Sequence, residues 1–116
     1  MPVVNCLWSK DASNEETRTH IAEGIEKGLR RGADVKAKIH ISFIDTTSPT
    51  PVIQIWWTGR PQELVDAACK AIEEEIKPFL PEDTLVYYIF SDIKRGNFGA
   101  NGEIMNKEPN PEKGIY

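Results

Sequence analysis

The second half of this chain restates the first, and that repetition constrains its fold more than any other feature. PVVNCLW (residues 2–8) is matched by PVIQIWW (51–57), pairing Pro2 with Pro51, Val3 with Val52 and Trp8 with Trp57. Both runs are β-branched or aromatic and of strand length. Each is followed by a polar turn and then a helical pattern. Ile21, Ala22, Ile25 and Leu29 form one apolar stripe, and Ala68, Cys69, Ile72 and Ile76 form another at the same internal spacing. A second strand follows each helix, Ile39–Phe43 and Val86–Phe90, and each closes on an aspartate, Asp45 or Asp92. One shift carries helix, strand and terminal acid of the first unit onto the second.

A strand–helix–strand unit with a single helix has parallel strands and a right-handed crossover. Two such units predict an α+β fold: a four-stranded mixed sheet with both helices on one face. The chain reads as a single domain, 1–116, in four parts. These are a first βαβ unit (1–45), a linker (46–50), a second unit ending in a hairpin (51–105), and an irregular tail (106–116) that drapes over a neighbouring subunit if it orders at all. The first helix has possible caps at Ser13 and Asn14, an acidic start at Glu15 and Glu16, and a basic end at Arg30 and Arg31 before Gly32. The second is expected to stop at Phe79-Leu80-Pro81. A unit of half this length has too little core to stand alone. The sheet face opposite the helices is left bare, and Trp8, Trp56, Trp57, Tyr87 and Tyr88 are too many large aromatics for water. An oligomer that buries them is expected.

The remaining composition excludes several classes of function. The 116 residues carry a net charge of −4 with scattered Lys and Arg, so no basic footprint for nucleic acid is present. No apolar run approaches the ~18 residues of a membrane span, and no signal-peptide pattern opens the chain. Two cysteines, Cys6 and Cys69, outside any metal-type spacing predict reduced thiols and a cytoplasmic protein. Both fall at apolar pattern positions, so a Cys–His nucleophile pair with His20 or His40 is not expected. No ligand cluster predicts a metal. GNFGANG (96–102) lacks a following Lys-Ser/Thr and opens no helix, which argues against a phosphate loop.

Residues 51–107 resemble a whole subunit of the 4-oxalocrotonate tautomerase family. The likeness rests on the proline-led PVIQIWW strand, on GRPQE (59–63) opening the helix, and on GNFGANGE (96–103) after the last strand. The full chain resembles the fused members of the tautomerase superfamily, the group that includes the macrophage migration inhibitory factor type. The last nine or so residues fall outside the likeness.

The resemblance implies a homotrimeric, cofactor-independent enzyme that moves a proton within a small carboxylate substrate. Pro2, freed by loss of Met1, would be the general acid–base, since an α-amine buried away from water titrates below its ordinary pKa of ~8. Pro51 lies inside the chain and its nitrogen is an amide. Arg60, in the Gly-Arg turn, matches the arginine that holds substrate carboxylate, a role a guanidinium fills bidentately. Phe98 matches the hairpin aromatic that lines the pocket, Tyr87 a pocket tyrosine reaching across a subunit boundary, and Trp8 and Trp57 would add apolar walls. His40 stands where a further carboxylate-binding arginine occurs, and the first unit offers Lys10 in place of a second Gly-Arg turn. The pocket is thus less cationic than one built for a dicarboxylate. Ala100 replaces the hairpin carboxylate of the hydrating branch, which weakens hydration or dehalogenation as the reaction. Decarboxylation, or a non-catalytic trimeric binding module, are the other readings.

Overall fold

The computed structural model describes all of residues 1–116. Two βαβ units are present: β1 (Val3–Leu7), α1 (Glu15–Ala33) and β2 (His40–Ile44), then β3 (Val52–Thr58), α2 (Gln62–Ile76) and β4 (Tyr87–Ile93). A small hairpin of β5 (Phe98–Ala100) and β6 (Glu103–Met105) follows. Its tip, Asn101-Gly102, has φ of 53° and 81°, the doubly left-handed turn that asparagine and glycine supply. No helix is long and apolar enough to cross a membrane.

The four main strands form one sheet in the order β2-β1-β3-β4. β1 and β2 are parallel, as are β3 and β4, while β1 and β3 pair antiparallel at the centre. Asn5 lies opposite Gln54 in that central pair and donates from Nδ2 to its Oε1 at 3.4 Å. These two residues are each other's counterparts in the repeat. The duplication therefore folds about a local two-fold axis through them, with Val3 facing Trp56 and Leu7 facing Val52.

Both helices cover one face, and the core lies between. Val4, Cys6, Trp8, Ile53, Ile55 and Trp57 point from the central strands toward Ile21, Ile25, Leu29, Ile72 and Ile76. Each large aliphatic buried in this way stabilises the fold by about 1.5–3 kcal/mol. The bare face holds fewer aromatics than expected. Side chains alternate across a strand, so Trp56 and Trp57 cannot share a face, nor can Tyr87 and Tyr88. Trp8, Trp57 and Tyr88 join the core, while Trp56, Tyr87, Ile89 and Ile44 are left exposed.

The helix ends differ in detail from expectation. Asn14 is the N-cap of α1, its Oδ1 accepting from Thr17 N at 2.8 Å. The helix does not stop before Gly32 but runs to Ala33, and Asp34 makes the left-handed turn at φ 53°. Gly32 has another task. With Gly24 and Gly28 it forms a stripe along α1 against which α2 is pressed. A Cβ on Gly28 would sit 2.6 Å from Ile72 N and Cα, and one on Gly32 would sit 2.6 Å from Ala67 O. α2 gives way at Lys77–Phe79 to a short 3-10 turn. The second strands begin one residue later than the apolar runs suggest, and β4 extends through Asp92 to Ile93.

Candidate active site

The antiparallel pairing of β1 with β3 decides what meets at the start of the chain. With Val3 opposite Trp56, the residue before β1 falls beside the end of β3 and the turn that follows it. Pro2 and Arg60 therefore line one cleft, of about 710 Å³, together with Met1, Thr58 and Leu64. The loop after α1 supplies a second side and residues Pro111–Tyr116 a third. Pro2 itself is fully buried.

Arg60 is held rather than solvated. Its Nη1 donates to the carbonyl of Thr58 and, at 2.8 Å, to Thr58 Oγ1. Its guanidinium carbon lies 4.8 Å from the centre of the Trp57 ring, within cation–π range. Burial lowers the guanidinium pKa, with Tyr116 and Asp92 pulling the other way. Arginine's reference value is so high that it stays charged at neutral pH. Nε and Nη2 have no partner within the chain, which leaves them for a ligand. The α-amine of Met1 also titrates below its ordinary value, first through burial and then through the Arg60 charge.

The other residues singled out in the sequence are not brought to this cleft by their own chain. Trp57 is fully buried and is the floor on which Arg60 rests, tilted against Phe90 at 5.3 Å, rather than an open wall. Trp8 is buried near the other end of the sheet, its Nε1 donating to Pro49 O at 2.8 Å. His40 touches Pro2 through its backbone only, donating from N to Pro2 O at 3.0 Å. Its exposure follows the alternation of β2 and places its side chain on the bare face. Tyr87 donates from its backbone N to Pro51 O at 3.1 Å, beside the other proline, and its side chain is exposed. Phe98 is half-buried on the hairpin and does not line the cleft.

The repeat-related end around Pro51 is sealed. Ser9 N donates to Ser48 O at 3.0 Å, and with the Trp8 bond this lays the linker across that end. Asp45 is gripped there by Arg18 at 2.8 Å and Lys10 at 3.2 Å. The Arg18 hydrogen bond is the larger reason its carboxyl titrates below the usual range. Lys10 is thus tied to Asp45 rather than offered to a ligand. The extra length of the first unit's loop folds as a 3-10 turn at Lys10–Ala12. Cys6 is buried in the core, and desolvation pushes its thiol up to about 12, which leaves it inert at neutral pH.

Sequence reasoning did not find Thr58 or the segment 111–116 as parts of the cleft. Thr58 had no signal beyond its place before Gly59-Arg60. The segment's signal was Gly-Ile-Tyr, an apolar end to a stretch otherwise of charge and proline.

No family profile matches the sequence, and no curated relative does. Comparison of the fold does find counterparts. An asymmetric trimer of a fused 4-OT superposes with a TM-score of 0.72 at 15% identity, over 88% of this chain and 94% of that one. A symmetric fused 4-OT trimer gives 0.74 at 13% identity, over 90% and 95%. FG41 malonate semialdehyde decarboxylase, inhibited by 3-bromopropiolate, gives 0.70 at 16% identity, over 88% and 92%. The chain has the fold of the tautomerase superfamily in its fused, double-unit form. At these identities the likeness is one of fold.

Proposed function

We infer that the chain is a cofactor-independent tautomerase acting on a small 2-oxo or 2-hydroxy acid. The observation that carries this is the meeting of Pro2 and Arg60 in one cleft, reached from opposite ends of the repeat. Removal of Met1 makes Pro2 a secondary amine at the base of the cleft. Burial and the Arg60 charge, which already depress the Met1 amine, act on that nitrogen too. Both raise the share of the amine that is neutral, and in that form it takes the proton of an enol hydroxyl, returning one to the neighbouring carbon as the ketone forms. Arg60 holds the carboxylate with the N–H groups left free by Thr58, and its charge steadies the oxygen on which negative charge develops.

His40, Tyr87 and Phe98 complete the site from neighbouring copies, since His40 and Tyr87 stand on the bare sheet face and Phe98 on the hairpin. The fused 4-OT structures of this fold are trimers, and a homotrimer is the assembly proposed here. Two free thiols suit a cytoplasmic protein.

The fold shared with malonate semialdehyde decarboxylase favours one second reading, loss of CO2 from a small oxo acid at the same two groups. One experiment separates the two. Decay of the enol of a 2-oxo acid is followed by ultraviolet absorbance, with CO2 release measured in parallel from a 3-oxo acid. The tautomerase reading predicts enol decay that falls about 10²- to 10⁴-fold in Pro2→Ala. Arg60→Gln is expected to raise KM through the lost carboxylate contact and to lower kcat through the lost charge stabilisation. An enol rate indifferent to Pro2→Ala contradicts it.

A further inference from the structure

Residues 106–116 take no part in the chemistry above, yet they are seated on the cleft where it would occur. Pro111–Lys113 form a 3-10 turn, and Asn110 and Ile115 close on each other through backbone bonds of 2.7 and 3.0 Å. Ile115 is thereby buried within an otherwise exposed stretch. Gly114 O accepts from Thr58 Oγ1 at 3.2 Å, and that same hydroxyl receives Arg60 Nη1. Gly114 has φ 73°, and a Cβ there would lie 3.1 Å from Arg60 Nη2, so glycine answers both the turn and the close approach. Arg95, just beyond β4, donates Nε to Tyr116 O at 2.6 Å and Nη1 to Lys107 O at 3.1 Å. One guanidinium thus staples both ends of the segment to the body.

Tyr116 also separates two spaces. It lines the Pro2 cleft, and it lines a second cavity of about 380 Å³ bounded by Gly59, Asp92 and Arg95. Gly59 on the second cavity and Arg60 on the cleft belong to one turn, and Tyr116 is the residue that borders both spaces.

We propose that residues 111–116 are a specificity-determining wall of the Pro2 cleft, admitting short acids and excluding those whose far end needs the space beyond Tyr116, and that Arg95 is the positioning residue that holds the wall in place. This rests on the function proposed above for the choice of substrate, but not for the wall itself. The segment contributes one buried side chain and no strand of the sheet, so it can be displaced without loss of the core. Arg95 is exposed and outside the core, so its replacement removes two of the bonds that hold the segment and leaves the fold.

The test needs no turnover. The amine at the start of the chain is reductively alkylated with formaldehyde or with 2-naphthaldehyde, and the label is located by peptide mass. Exposed Lys27 in the same molecule corrects for the intrinsic reactivity of each aldehyde. The bulky-to-small labelling ratio is expected to rise at least fivefold in a chain ending at Asn110, and likewise in full-length Arg95→Ala. A smaller change in both overturns the wall. Because labelling is independent of catalysis, a chain inert toward enols can still show the rise, and an active enzyme can fail to show it.

Discussion

Two tryptophans at matched positions of the repeat differ in how their indole N–H groups are placed. Trp8 Nε1 donates to Pro49 O, whereas the buried Trp57 Nε1 has no partner. A buried donor without an acceptor costs about 1–3 kcal/mol, and replacing the ring by one without that N–H relieves it. Trp8→Phe gives up the bond to Pro49 O and should lower stability by about 1 kcal/mol more than Trp57→Phe, as read from urea unfolding midpoints. Equal losses would contradict this. Trp57 was legible in the sequence as an apolar wall, but its true place under Arg60 was not. The period of a strand says which neighbours part company and not which of them meets a given guanidinium.

At the scale of elements, the repeat was almost fully legible. A constant shift between halves fixes two crossovers of one hand, and the antiparallel centre follows once the two units share a sheet. The end of α1 was misread because Gly32 has two physical uses, as a helix terminator and as a point of close approach. It serves the second, with α2 backbone where its side chain would be. Gly28 makes the stronger test, since a Cβ there meets backbone, while at Gly24 it meets the movable Ile76 Cγ2 at 2.7 Å. Alanine is favoured over glycine in a helix by about 1 kcal/mol, but forcing two helices apart costs more. Gly28→Ala is expected to destabilise by about 1–3 kcal/mol net, and Gly24→Ala by less, in thermal unfolding. Stabilisation by both would mean that the helices do not touch along this stripe.

At the scale of the whole molecule, one side of the sheet has no cover. Trp56, Tyr87, Ile89 and Ile44 lie there exposed, between 40% and 53% accessible, and an apolar patch of this kind is what an interface between copies would cover. The sequence predicts an oligomer from five aromatics but overcounts them on this face, since three of the five belong to the core. The cleft was legible only in part for a related reason. Pro2 and Arg60 are joined by pairing within one chain, whereas Tyr87, His40 and Phe98 would have to come from other copies. Trp56→Glu places a charge in the proposed contact and should turn a three-chain species into single chains by light scattering, with the helical circular dichroism retained. A wild-type chain that is monomeric at micromolar concentration would contradict the trimer.

The proposed chemistry requires that Pro2 end the mature chain as a neutral amine. The ¹⁵N resonance of Pro2, followed from acid to alkaline pH in protein labelled at proline nitrogen, tests it directly. A titrating amine with a pKa below the ordinary α-amino value of ~8 is expected. Enol turnover would then be lost as pH falls through that same pKa, because the protonated nitrogen cannot accept a proton. Arg60→Gln should raise the pKa, since its positive charge opposes protonation of the amine beside it. A non-titrating amide resonance, with Met1 still attached, would remove the proposed base and leave the fold without this chemistry.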